Sequence, residues 1–144
     1  MRRMLCVGVI LLLTAIPGAL EAQAGSDAAS RGSRLGQNYP NPFNPTTRLP
    51  FDLWPEDFAE GQPVVVTIRI YNVLHQLVAV PTALNHPAGN GLPVDQLEYT
   101  SPGRKEVFWD GLDRSGRKVA SGLYYVQFQI NNRKPEVKKI FVAK

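Results

Sequence analysis

From Tyr124 to Ile130 the side chains alternate without a break. Tyr124, Val126, Phe128 and Ile130 fall on one face of an extended chain, and Tyr125, Gln127 and Gln129 on the other. Period two, filled with aromatic and β-branched residues, specifies a half-buried strand and is incompatible with an amphipathic helix, whose apolar positions recur every three to four residues. The residues before it set the turns. Asp110-Gly111 and Ser115-Gly116 each put a small polar residue before a glycine, a pairing that lets the backbone reach positive φ cheaply, and Ser121-Gly122 breaks the chain once more. Trp109 closes the preceding strand and is the largest apolar group available to a core.

The same alternation recurs elsewhere. Val64, Val66, Ile68 and Ile70 share one face of a strand over 64–71, with Asn72-Val73-Leu74-His75 turning the chain and residues 76–80 returning antiparallel. Residues 46–53 place Leu49, Phe51 and Leu53 together, but Pro50 cannot donate a ladder bond, which predicts an edge or a bulge. Lys105 to Trp109 reads as a strand with Val107 and Trp109 inward. Asn131-Asn132 turns the long strand, and the last strand covers 137–142 with Ile140 and Val142 inward. Residues 54–62, with Pro55, Gly61 and three acids, read as a connection containing at most one helical turn. Six or seven short strands and no long amphipathic helix predict an all-β antiparallel sandwich over residues 37–144.

The N-terminus is of another kind. Met1-Arg2-Arg3-Met4 precedes an apolar run from Leu5 to Ile16, broken by Pro17-Gly18 and followed by Ala22-Gln23-Ala24. A basic start, a short apolar middle and small residues at the cleavage positions describe a secretory signal peptide over residues 1–24. The run is shorter than the roughly 20 residues a membrane-spanning helix needs, so no span is expected in the mature chain. Cys6, the single cysteine, lies inside this segment, so the exported domain is expected to rely on its core without disulfides. Residues 25–36, rich in Gly, Ser, Ala and Arg, read as a flexible linker. The 16 basic and 12 acidic side chains fall to 14 and 11 once Arg2, Arg3 and Glu21 are removed. The basic residues are dispersed in pairs, which describes a soluble surface and disfavours a nucleic-acid partner.

Catalytic chemistry finds little support. His75 sits where a turn wants positive φ, which histidine tolerates better than most residues. His86 is expected to be exposed in the segment 81–104, read as a long loop and as a first place to seek a private binding surface, although Leu92, Val94, Leu97 and Tyr99 hint that part of it packs down. Asp110, Asp113 and Ser115 resemble part of an oxygen-rich calcium loop but lack its closing glutamate, and side-chain bonds to the turn backbone account for them more simply. No cofactor, metal or catalytic residue is assigned, and the chain reads as non-enzymatic.

Several motifs occur together: Asn38-Tyr39-Pro40-Asn41-Pro42-Phe43-Asn44-Pro45-Thr46-Thr47, the run Ile68 to Leu74, Trp109-Asp110-Gly111, Val119-Ala120-Ser121-Gly122-Leu123-Tyr124, and Lys138-Lys139-Ile140. In these the chain resembles the C-terminal sorting domain of the type IX secretion system and, equally, the immunoglobulin-like domain of the flagellar hook-capping protein. That family has glycine where His75 stands, and a shorter hairpin in place of residues 81–104. The resemblance marks Asn41, Pro42, Asn44, Pro45, Trp109, Asp110, Gly111, Gly122 and Tyr124 as structural motif positions. It implies an immunoglobulin-like fold and an exported, surface-attached or released product whose partner is outer-membrane secretion machinery. A cell-surface glycan or a second copy is the alternative partner. The expected recognition element is the terminal strand with Val137, Lys138, Lys139, Ile140, Phe141, Val142 and Lys144.

Overall fold

A computed structural model describes residues 32–143. The expected signal peptide, Cys6 and most of the linker lie outside the described residues, as does Lys144. Among the described residues nine strands form: β1 (Arg34–Leu35), β2 (Thr47–Leu53), β3 (Val64–Tyr71), β4 (Leu77–Ala79), β5 (Thr82–Leu84), β6 (Leu97–Tyr99), β7 (Gly103–Trp109), β8 (Gly122–Ile130) and β9 (Glu136–Val142). One sheet has the order β1-β2-β7-β5 and the other β4-β3-β8-β9, with β6 also paired to β3. All these pairings are antiparallel. The order is that of an immunoglobulin-like sandwich, A-B-E-D packed on C′-C-F-G, with β6 as an addition.

The alternation read from the sequence is the burial pattern found. On β3 and β8, neighbours in one sheet, every second residue is buried: Val64, Val66, Ile68 and Ile70 lie beside Tyr124, Val126, Phe128 and Ile130 on the face turned to the core. Leu49, Phe51, Leu53, Val107 and Trp109 supply the opposing sheet. Phe51 bridges the two layers, 5.5 Å from the Phe128 ring and 5.5 Å from that of Tyr99. His75 takes the positive φ its turn requires, at 59°.

Four expectations are corrected. Pro50 puts β2 neither at an edge nor in a bulge: β2 lies between β1 and β7 in unbroken register with β7, and the Pro50 carbonyl accepts the Gly36 N–H at 2.8 Å. The linker does not extend to residue 36: Arg34 and Leu35 pair with Asp52 and Phe51, and Leu35 is buried. One large apolar side chain was enough to dock the end of a polar run. Residues 81–104 are not one loop: they hold β5 and β6 and fold residues 91–94 back beside β5 and β3, while Val94 and Tyr99 pack down as their place in the sequence hinted. His86 is half-buried there, its Nε2 2.8 Å from the Glu98 carbonyl and its ring edge-on to Tyr99 at 4.8 Å. The connection 54–62 contains two single 3₁₀ turns, Pro55–Asp57 and Ala59–Gly61.

Candidate functional site

The motif residues converge around one indole. Trp109 is buried at the end of β7, and its Nε1–H donates to the Leu112 carbonyl at 2.9 Å, which fixes the turn that follows. Phe43 meets the ring at 5.2 Å and Tyr124 at 5.8 Å. Gly111, at φ 75°, passes so close to the Pro45 carbonyl that a Cβ would lie 2.2 Å from its oxygen. The Asn41-to-Pro45 segment and the Trp109-Asp110-Gly111 turn, far apart in sequence, are therefore two sides of one contact. Asp110 accepts the Leu112 N–H at 2.9 Å. The Tyr124 hydroxyl donates to the Ala120 carbonyl at 2.8 Å, the tyrosine-corner bond that closes the E–F connection of such sandwiches. These contacts build the fold.

The acids read as possible metal ligands are likewise occupied. One Asp113 carboxylate oxygen accepts the Ser115 N–H, the Ser115 hydroxyl and the Arg117 N–H. The Ser115 hydroxyl bond foremost, with the Arg117 N–H, holds its carboxyl below the usual aspartate value. No group of three or more His, Cys, Asp or Glu gathers among the described residues. A groove of about 570 Å³ between the β4–β5 connection and this turn is lined by Val80, Thr82, Phe108, Asp110, Asp113 and Arg114. Both its carboxylates are the ones already bound to turn backbone.

The terminal strand offers a different surface. β9 is an edge strand, with β8 as its one strand neighbour in the sheet, and its side chains alternate. Ile140 and Val142 are buried in the core, so these two belong to the fold and cannot be read from outside. Val137, Lys139 and Phe141 face solvent, with Val137 55% and Phe141 48% exposed, and Lys138 is half-buried. Lys139 lies opposite Tyr125 on β8, and the neighbouring row places Val137 beside Gln127 and Arg69. Neither Lys138 nor Lys139 forms a salt bridge; the three salt bridges among the described residues are Arg48–Glu106, Arg69–Asp95 and Arg133–Asp57.

The N-terminal segment covers part of this strand. Phe43 lies parallel to Val142; its N–H reaches the Phe141 carbonyl at 3.1 Å, and its carbonyl receives the Ala143 N–H at 3.0 Å. Asn41 Oδ1 accepts the Phe141 N–H at 3.2 Å. Ser33 is held by Asp57, a buried carboxylate that also takes Arg133 from the β8–β9 turn. Nothing in the sequence pattern singled out Asp57, because its partners lie 24 and 76 residues away. No helix among the described residues is long and apolar enough to cross a membrane. No protein-family model, curated protein or solved structure matches the chain.

Proposed function

We propose that this chain is an exported, non-enzymatic β-sandwich module that works as a sorting and cell-surface attachment domain, read by outer-membrane secretion machinery of type IX. The observation that carries the reading is the disposition of β9. The last strand of the described fold is an edge, with Val137, Lys139 and Phe141 turned to solvent and two lysines that form no salt bridge among the described residues. The motif residues support it by holding that strand in place: Phe43 and Asn41 bond to it, and Trp109 anchors Phe43. Recognition here requires shape and strand chemistry and no bond-making at a reactive group.

Deleting residues 137–144 is a poor test, because it removes Ile140 and Val142 from the core. The informative variant is Val137→Ser/Lys139→Glu/Phe141→Ser, which changes exposed side chains alone. In a bacterium carrying type IX machinery, the full chain should reach the cell surface or medium, and the triple variant should accumulate in the periplasm with native circular dichroism. Unchanged export of the variant, or periplasmic retention of the parent, overturns the reading. The same edge favours a second reading, a structural module akin to the hook-capping domain that assembles with its own copies. That reading requires concentration-dependent association in sedimentation.

A further inference from the structure

In an antiparallel ladder the N–H and C=O of one residue point to the same side, and successive residues point to opposite sides. On β9 the parity is settled by Phe141, whose N–H and C=O both face away from β8, towards Asn41 and Phe43. Val137 and Lys139 share that parity, so their N–H and C=O groups point outward too, and no backbone or side-chain bond to them occurs among the described residues. On β9 the bonds to its backbone from elsewhere in the chain are confined to residues 141–143, whereas each of the other, shorter edge strands carries one within its two or three residues. On β1, Leu35 N–H donates to the Glu136 carboxylate; on β4, the Val78 carbonyl accepts Arg114 N–H. On β5, Ala83 is bonded to Gly91 and Leu92; on β6, the Glu98 carbonyl meets His86.

We infer that the uncapped edge at Val137–Lys139 accepts an extended, acidic strand of a partner protein by strand addition. The inference rests on the reading of β9 as the recognised element and names the chemistry of what recognises it. An antiparallel incoming strand would match the two outward donors and two outward acceptors, and Phe43 would limit its length, since residues 141–143 are already covered. Side chains opposite Lys139 and Val137 would lie on the solvent face of the sheet, and the one opposite Lys138 on the other face. Carboxylates opposite the two lysines and an apolar residue opposite Val137 complement this pattern. A second copy pairing about Lys138 fits less well, because it sets Lys138 against its own counterpart, and like charges directly opposite repel. The lysines thus deter identical strands and select acidic ones.

The probe is the synthetic peptide acetyl-Thr-Glu-Glu-Val-Thr-amide, titrated into the ¹⁵N-labelled signal-peptide-free chain. Amide shifts and slowed hydrogen exchange should centre on Val137 and Lys139 and weaken as salt rises, since the Debye length is about 10 Å at 0.1 M. Lys139→Pro deletes an N–H that points away from β8, so it should preserve the β8–β9 ladder and weaken binding at least tenfold. Should that variant not fold, acetyl-Thr-Lys-Lys-Val-Thr-amide on the parent protein makes the same test and should bind at least tenfold more weakly. Perturbations scattered over other strands, or equal binding of the two peptides, overturn the inference. So does normal export of a Lys139→Pro chain that no longer binds the acidic peptide, an outcome that leaves the sorting role standing. Peptide binding at the edge by a parent chain that stays in the periplasm supports the edge and overturns the sorting role.

Discussion

The phenol of Tyr124 stands edge-on to the indole of Trp109, with ring centroids 5.8 Å apart and planes at 68°. The pair joins the end of β7 to the start of β8 across the core, and the Tyr124 hydroxyl ties the connection to Ala120. The described residues contain no cysteine, so packing such as this, and no disulfide, joins the two sheets among them. Trp109→Ala should cost about 3–5 kcal/mol, the usual range for emptying a buried aromatic site. Tyr124→Phe keeps the ring and removes one hydrogen bond, and should cost about 1 kcal/mol. Urea unfolding monitored by near-ultraviolet circular dichroism separates the two, provided the m-value is unchanged.

Gly111 and Gly116 lie in the same connection, at φ 75° and 80°. Alanine at Gly116 would meet open space, whereas at Gly111 a Cβ would lie 2.2 Å from the Pro45 carbonyl oxygen. Gly116→Ala should therefore cost only the left-handed conformation, about 1 kcal/mol. Gly111→Ala must also push apart the two motif segments, and should cost at least about 2 kcal/mol more. Equal melting temperatures for the two variants would show that the contact with Pro45 is not tight.

Asp57 makes stability depend on pH. Burial of its carboxyl pushes its pKa up, but the bonds from the Ser33 hydroxyl and N–H and from Arg133 outweigh that and hold it below the ordinary value. A carboxyl whose pKa is depressed on folding contributes stability that is fully present above its unfolded value, about 3.9, and lost as pH falls through the lower folded value. Asp57→Asn should thus destabilise at pH 7, by about 1–3 kcal/mol for a broken buried bond network. Its melting temperature should approach that of the parent near pH 2. A constant gap between the two across that range would remove ionisation from the account.

The strands on which this rests were largely legible before any coordinates. Alternation marked β3 at both ends and β8 nearly so, because a half-buried strand writes its two faces directly into the sequence. It also marked which side of β9 faces solvent. Of the short strands only β4 was legible, as the return after the turn at 72–75; β1 rests on Leu35 alone, and β5 and β6 are three residues each among prolines, too brief to show a period. The open backbone at Val137 and Lys139 was not legible either. Which edge groups are capped depends on Phe43, Glu136, Arg114 and His86 arriving from distant parts of the chain, and no local pattern records those arrivals.

Phe43 limits how much of β9 is open. Its ring is buried against Trp109, and its backbone closes the edge at residues 141–143. Phe43→Ala should cost about 3–5 kcal/mol through the cavity it leaves. The loss should also be local: the amides of Phe141 and Ala143 should exchange faster, while those bonded across β8–β9 should change only with global stability. Releasing this cap lengthens the exposed edge from 137–139 to 137–143, and long open edges associate. At concentrations where it remains folded, the variant should therefore self-associate more than the parent in sedimentation. If Phe141 and Ala143 exchange no faster while the fold is weakened throughout, the ring alone matters, and the backbone cap contributes nothing to closing the edge.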